Sequence, residues 1–152
     1  MNQRISDTVA LLAPVPSFHL VSGLQALSEA GGILFASDAF TAFHNLEHAR
    51  EGKSVTVWIY ESFGDSKLEV KWKGTYVGFV SSDDRGQLKT KKKMRPKSTE
   101  NDGKTALYWE LCHLEKLTHP IPLTEFYGLG NQKAFQSDFV PRGPILIEPS
   151  LV

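Results

Sequence analysis

Leu68-Glu-Val-Lys-Trp-Lys-Gly-Thr-Tyr-Val-Gly-Phe-Val80 and Ala106-Leu-Tyr-Trp-Glu-Leu-Cys-His-Leu114 carry the pattern that sets the fold class. The first sets Leu68, Val70 and Trp72 against Glu69, Lys71 and Lys73, the alternation of a half-exposed strand. Gly74 predicts a bend or tight turn there, with a further strand over Tyr76–Ser81. The second sets Leu107, Trp109, Leu111 and His113 against Tyr108, Glu110, Cys112 and Leu114. Upstream, Ser54–Glu61 puts Val55, Val57 and Ile59 on one face and Thr56, Trp58 and Tyr60 on the other. Apolar groups on both faces predict a central strand, buried on one side and lining a pocket on the other.

Outward from these strands the signals shorten. Pro14 and Pro16 disfavour helix, so residues 1–16 read as a loosely attached lead-in. Ser17–Ser22 reads as a short strand, and Leu24–Ala30 as a helical turn or two ended by Gly31-Gly32. Ile33–Ala36 is an apolar run compatible with either type of element. Ser37 or Asp38 can cap a helix to about Arg50, with Phe40, Phe43, Leu46 and Ala49 at three-residue steps and Gly52 ending it. Phe63–Lys67 reads as a turn, Leu123–Tyr127 as one helical turn after the breakers Pro120 and Pro122, and Asn131–Phe139 as a short helix. Pro141–Pro144 predicts a rigid turn before a closing strand over Ile145–Glu148. About five strands with two or three short helices give an α+β class with a small curled or partly closed β-barrel.

A chain of 152 residues fits a single domain over 1–152, and 41% apolar with 22% charged residues is ordinary for a globular protein. Its formal net charge of zero argues against indiscriminate coating of a polyanion. The single cysteine, Cys112, excludes an internal disulfide and a cysteine-rich zinc site, and its strand context predicts a buried structural thiol. Near the N-terminus the longest apolar run is Val9–Ala13, too short for a signal-peptide core or a bilayer span. A cytoplasmic protein without a membrane partner is therefore the expectation. No Walker loop, G-x-G-x-x-G or G-x-S-x-G occurs, and no cofactor is expected.

Positive charge is concentrated locally. The polar stretch 82–105 contains Lys89-Thr-Lys-Lys-Lys-Met-Arg-Pro-Lys97, six cations in nine residues with no acid among them. Nucleic acid is held by cations on its phosphates and aromatic faces on its bases, so Lys89, Lys91, Lys92, Lys93, Arg95 and Lys97 are candidate phosphate contacts. A charge run of this kind is otherwise a solvated loop. Trp58, Tyr60, Trp72, Tyr76, Tyr108 and Trp109 are candidate stacking residues, although strand aromatics are also the usual core fillers. Alternation favours Trp58, Tyr60 and Tyr108 as walls, with Glu110 or Ser62 supplying an edge hydrogen bond.

The order of elements in the second half resembles the PUA-like superfamily, and within it the ASCH and EVE domains. The resemblance rests on Val55–Glu61, Trp72-Lys-Gly-Thr-Tyr-Val-Gly-Phe-Val80, Leu107–Leu114, the segment carrying Leu117, Pro120, Ile121 and Leu123, the helix expected at 131–139 and Pro144-Ile-Leu-Ile147. It covers roughly residues 54–149. It implies a small curled barrel with an aromatic-lined cleft, and a partner that is RNA or DNA, with a modified or flipped base accepted into the cleft.

Two other function classes are legible. His44-Asn-Leu-Glu-His48 matches H-x-x-E-H, in which His44 and His48 one helical turn apart would hold a metal and Glu47 would activate its water. That would make the protein a metal-dependent hydrolase. A solvated helix face is the plainer reading, and His19, His113 and His119 have no ligand spacing to one another. A protein-interaction module using the exposed loop and Phe126-Tyr127 is the third class.

Overall fold

The computed structural model describes residues 4–62, 68–99, 103–130, 133–136, 141 and 143–149. In chain order they form strand β1 (Ala10–Pro16), helix α1 (Ser17–Ala30), β2 (Ile33–Ser37), helix α2 (Phe40–Arg50), β3 (Val55–Ser62), β4 (Glu69–Ser81), β5 (Leu107–Pro122) and β6 (Ile145–Ile147). Single 3₁₀ turns occupy Lys92–Met94, Lys97–Thr99 and Leu123–Glu125. The sheet is mixed and six-stranded, in the order β2-β5-β4-β3-β1-β6. Its edges, β2 and β6, are not paired to each other, so the expected α+β class is present, on an open sheet where a curled or partly closed barrel is expected.

Residues 10–16 are not a loose lead-in. They form β1, parallel to β3 in the register Leu11↔Val57 to Pro16↔Ser62, and Val9–Ala13 are buried. The prolines fit because β6 pairs only with Ala10–Leu12. Pro14 and Pro16 lie on the part of β1 that has a strand on one side only, where a missing N–H is tolerated.

Residues 17–30 form one helix rather than a strand and a turn. Its buried positions are Leu20, Gly23 and Ala26, three residues apart. Two are small because the helix lies close to the sheet: a Cβ on Gly23 would stand 3.3 Å from the Phe35 ring. The bulky Phe18 and Val21 point outward instead, 55% and 64% exposed. Gly31, in the left-handed region, closes the helix by donating to the Leu27 carbonyl at 2.9 Å. Helix α2 forms over the expected stretch, burying Phe43 and Leu46, while Phe40 is 49% exposed and Glu51 and Gly52 end it with positive φ; its N-cap is Ala39 rather than Ser37 or Asp38, and the Asp38 carboxylate accepts from the Ala106 amide instead.

Both helices cover the same face. Leu20, Phe43 and Leu46 pack with Leu11, Ala13, Val57, Ile59, Trp72, Tyr76, Trp109 and Leu111. The opposite face is also buried: Ala10, Leu12, Trp58, Tyr60 and Val70 meet Leu123, Phe126 and Ile147, with Leu117, Ile121 and Phe135 packed around them. Ile33–Ser37, ambiguous in sequence, is edge strand β2, paired with β5. The expected break at Pro120 and Pro122 does not interrupt β5, which still pairs Ile121 with Val70 and Pro122 with Glu69. The turn expected at Phe63–Lys67 lies outside the described residues. So do residues 131–132 and 137–139 of the helix expected at 131–139, whose described part, 133–136, is non-helical.

Gly74 does not end a strand. β4 runs through it from Glu69 to Ser81, and the residue is small because β5 lies against it. An added Cβ would stand 2.9 Å from the His113 carbonyl oxygen and 3.2 Å from the Leu111 side chain. Register shifts nearby, at Thr75/Tyr76 and Tyr76/Gly78, break the alternation along β5. Cys112 and His113 are consequently both exposed, and the thiol expected to be buried faces solvent. Gly74→Ala is expected to lower unfolding stability by about 1–3 kcal/mol through overpacking, read as a lower urea midpoint at unchanged m.

Candidate functional site

Residues 82–99 and 103–105 are packed onto the fold. Asp83 opens the stretch as a turn, its Oδ1 accepting from the Arg85 and Gln87 amides at 2.9 Å each. Met94 then packs against Gly32, where a Cβ would meet its thioether at 3.1 Å. Arg95 Nη1 donates to the Leu34 carbonyl at 2.6 Å, and its guanidinium lies 5.0 Å from the Tyr108 ring centroid. Ser98 is held twice by α1: its Oγ is 2.7 Å from His19 Nδ1, and its amide donates to Ser22 Oγ at 3.2 Å. Pro96 and Thr99 are buried, the Thr99 hydroxyl donating to the Pro96 carbonyl at 2.6 Å.

Docking this segment onto α1 encloses a groove of about 690 Å³. Ser22, Gln25, Ala26 and Glu29 of the helix form one side; Lys92, Lys93, Arg95 and Lys97 form the other, with Tyr108 in the wall. The six expected cations thus divide. Lys92, Lys93 and Lys97 are exposed at the groove, and Arg95 is built into its wall. Lys91 is bound to the Glu110 carboxylate at 2.7 Å, and Lys89 is exposed on the approach to the loop, where its charge helps hold the Asp83 carboxyl below its usual range behind the Gln87 and Arg85 amides.

The six candidate aromatics are all buried and do not converge on one cleft. Trp58 and Tyr60 face the second core, because the chain after β5 covers that side of β3. Tyr60 donates to the Pro141 carbonyl at 3.3 Å, and burial pushes its hydroxyl up to about 12. Trp72 and Tyr76 belong to the first core; Trp72 Nε1 donates to Glu61 at 3.0 Å. Only Tyr108 of the six lies outside both clusters, and it is the one beside the basic segment. Glu110 is ion-paired with Lys91, and Ser62 ends β3 opposite Pro16. Phe126 is buried, leaving Tyr127 as the exposed member of that pair.

A second, smaller opening of about 220 Å³ lies at the end of β1 where α1 begins, between His19, Phe35, Ala36, Thr99, Trp109 and the prolines 14 and 16. Sequence reasoning missed it. His19 carries no ligand spacing, and Thr99 sits in a stretch without periodicity. The usable signal was the pairing of Pro-x-Pro with a following helix, obscured by the reading of 17–22 as a strand.

The H-x-x-E-H residues do not converge either. Both Glu47 oxygens are taken: Arg50 Nε donates to Oε2 at 2.7 Å and Nη2 to Oε1 at 3.1 Å, and the Tyr76 hydroxyl donates to Oε2 at 2.7 Å. Burial, then that bond, raises the Tyr76 pKa. His44 and His48 are exposed, His44 stacking near Phe40 and Phe79. Among the described residues no group of three or more His, Cys, Asp or Glu side chains is placed to hold a metal. Glu47 ties α2 to β4. Glu47→Ala, which leaves the 9% exposed Arg50 only its bond to the Lys53 carbonyl and the Tyr76 hydroxyl without its acceptor, is expected to cost about 1–3 kcal/mol in denaturant unfolding.

No helix is long and apolar enough to cross a membrane among the described residues. No protein-family model matches the chain, and no curated protein matches it in sequence.

Proposed function

We propose that this domain is a non-enzymatic nucleic-acid binder of PUA-like type, with the groove between α1 and the 89–97 segment as its phosphate-binding surface. One observation carries the reading: the densest run of positive charge is folded against a helix, so that Lys92, Lys93 and Lys97 line a groove with Tyr108 beneath. A flexible charge run would cost ordering entropy on binding, whereas this one is already ordered by Arg95, Ser98 and Met94. The partner is RNA or DNA held through its phosphates, with a single strand or a modified or flipped base as the resemblance implies; Tyr108, buried and covered by the Arg95 guanidinium, shapes the groove floor rather than stacking a base.

Each phosphate contact on a single strand contributes about −0.7 to the slope of log affinity against log salt, so three lysines contribute roughly −2. Lys92→Glu, Lys93→Glu and Lys97→Glu together are expected to flatten the slope for a short single-stranded oligonucleotide by about that amount. The three side chains are exposed, so the fold should survive. Wild-type protein without oligonucleotide affinity at low salt, or an unchanged slope in the triple variant, would remove the groove as the binding surface.

A further inference from the structure

We infer that the outward face of α1, together with the lysines beside it, docks an acidic amphipathic segment of another protein. The inference goes beyond the nucleic-acid reading, does not rest on it, and starts from side chains which that reading leaves unused. Phe18, Val21 and Leu24 are 55%, 64% and 39% exposed, at three-residue steps along one helix. Residues three and four apart are neighbours on a helix surface, so the three form one apolar stripe. The buried side of α1 is already filled by Leu20, Gly23 and Ala26, and the stripe adds nothing to the core. Exposed apolar residues scattered singly are ordinary, whereas a contiguous run rimmed by polar groups marks a contact surface.

The stripe borders the basic groove. Ser22 and Gln25, which line the groove, stand four residues after Phe18 and Val21, so the two surfaces meet along the helix. At the N-terminal end they are joined by contact. The Phe18 ring lies edge-on to the His19 ring, 4.4 Å between centroids, and His19 Nδ1 is 2.7 Å from the hydroxyl of Ser98, the neighbour of Lys97. A partner laid along α1 therefore meets the apolar stripe on one side and Lys92, Lys93 and Lys97 on the other, with Glu29 the only acid among the described groove residues. Charge complementarity calls for carboxylates along one flank of a segment whose apolar anchors repeat every three or four residues. Shape points the same way: a concave strip of about 690 Å³ beside an apolar ridge suits a rod such as a helix better than a lipid plane. Packing α1 antiparallel on α1 of a second copy would set the two groups of lysines against each other, and like charges across an interface repel.

The probe is a short fluorescein-labelled helical peptide with leucines at three- and four-residue spacing and glutamates along one flank. One control keeps the leucines and carries lysines on that flank; the other keeps the composition in scrambled order. By fluorescence anisotropy the glutamate peptide is expected to bind at least about tenfold more tightly than either control. Phe18→Ser with Val21→Ser, both at exposed positions, should weaken it at least about tenfold while leaving the urea midpoint and the oligonucleotide salt slope unchanged. Equal binding of the three peptides, or binding indifferent to the double variant, overturns the docking surface, and a salt-dependent oligonucleotide affinity then leaves the proposed function standing. Preference for the glutamate peptide without any oligonucleotide affinity upholds the surface and removes the nucleic-acid reading. Phosphatidylserine vesicles and sedimentation of the protein alone report on the other occupants. Vesicle binding or dimerisation that is lost in the double variant, without preference for the glutamate peptide, assigns the stripe to a lipid surface or to a second copy and overturns the acidic segment.

Discussion

The parallel pairing of β1 with β3 is the constraint on which the rest of the architecture depends. Parallel neighbours cannot be joined by a hairpin, so the chain must cross the sheet between them. Here the crossing contains α1, β2 and α2, and places both helices on one face. Leu12, paired with Trp58, and the neighbouring Tyr60 then face the other way, and the segment from Leu117 to Phe126 covers them. With both faces covered, aromatic side chains in the sheet interior become core. Lys92, Lys93 and Lys97 stand instead at the rim, where α1, β2 and the β4–β5 connection meet.

At that rim the β4–β5 connection has a structural duty as well. β2 is an edge strand, and an open edge invites unwanted pairing. Arg95 donates to the Leu34 carbonyl and so occupies part of that edge, while its guanidinium rests on Tyr108 of β5. A cation that caps an edge and stacks on an aromatic cannot swing away as a flap. The same contacts hold Lys92, Lys93 and Lys97 beside α1. Charge density and edge protection are thus met by one segment.

What could be read in the sequence follows from how local its cause is. Alternation placed β3, β4 and the first half of β5, and three-residue steps placed α2, because those signals come from neighbouring side chains. Helix α1 was unreadable because close packing on Phe35 demands Gly23 and Ala26 at its buried positions and leaves Phe18 and Val21 outside, the inverse of an amphipathic pattern. Pro14 and Pro16 disfavour helix and leave residues 1–16 reading as a lead-in, because their fit in a strand depends on the short reach of β6. In the site, Lys92, Lys93, Lys97 and Tyr108 were legible from composition. Trp58 and Tyr60 read as a pocket wall because a strand's two apolar faces do not reveal what covers each. His19 and Thr99 lie 80 residues apart in sequence and meet only through the docking of the connection on α1.

Neutrality of the whole chain and positivity of the groove are consistent once the ion pairs are followed. Arg50 is matched to Glu47, Lys71 to Glu61 and Lys91 to Glu110. The half-exposed Lys71 and Lys91 pairs add little stability, roughly 0–1 kcal/mol each, while the Arg50 pair is largely buried, and all three cancel charge. At the groove the balance differs: Lys92, Lys93, Arg95 and Lys97 face Glu29 across the opening. Screening at about 0.1 M salt confines such a field to roughly 10 Å, which is the reach of a few phosphates and not of a long duplex. On the proposed reading, a locally positive groove on a neutral body favours a short anionic segment over the remainder of a polymer.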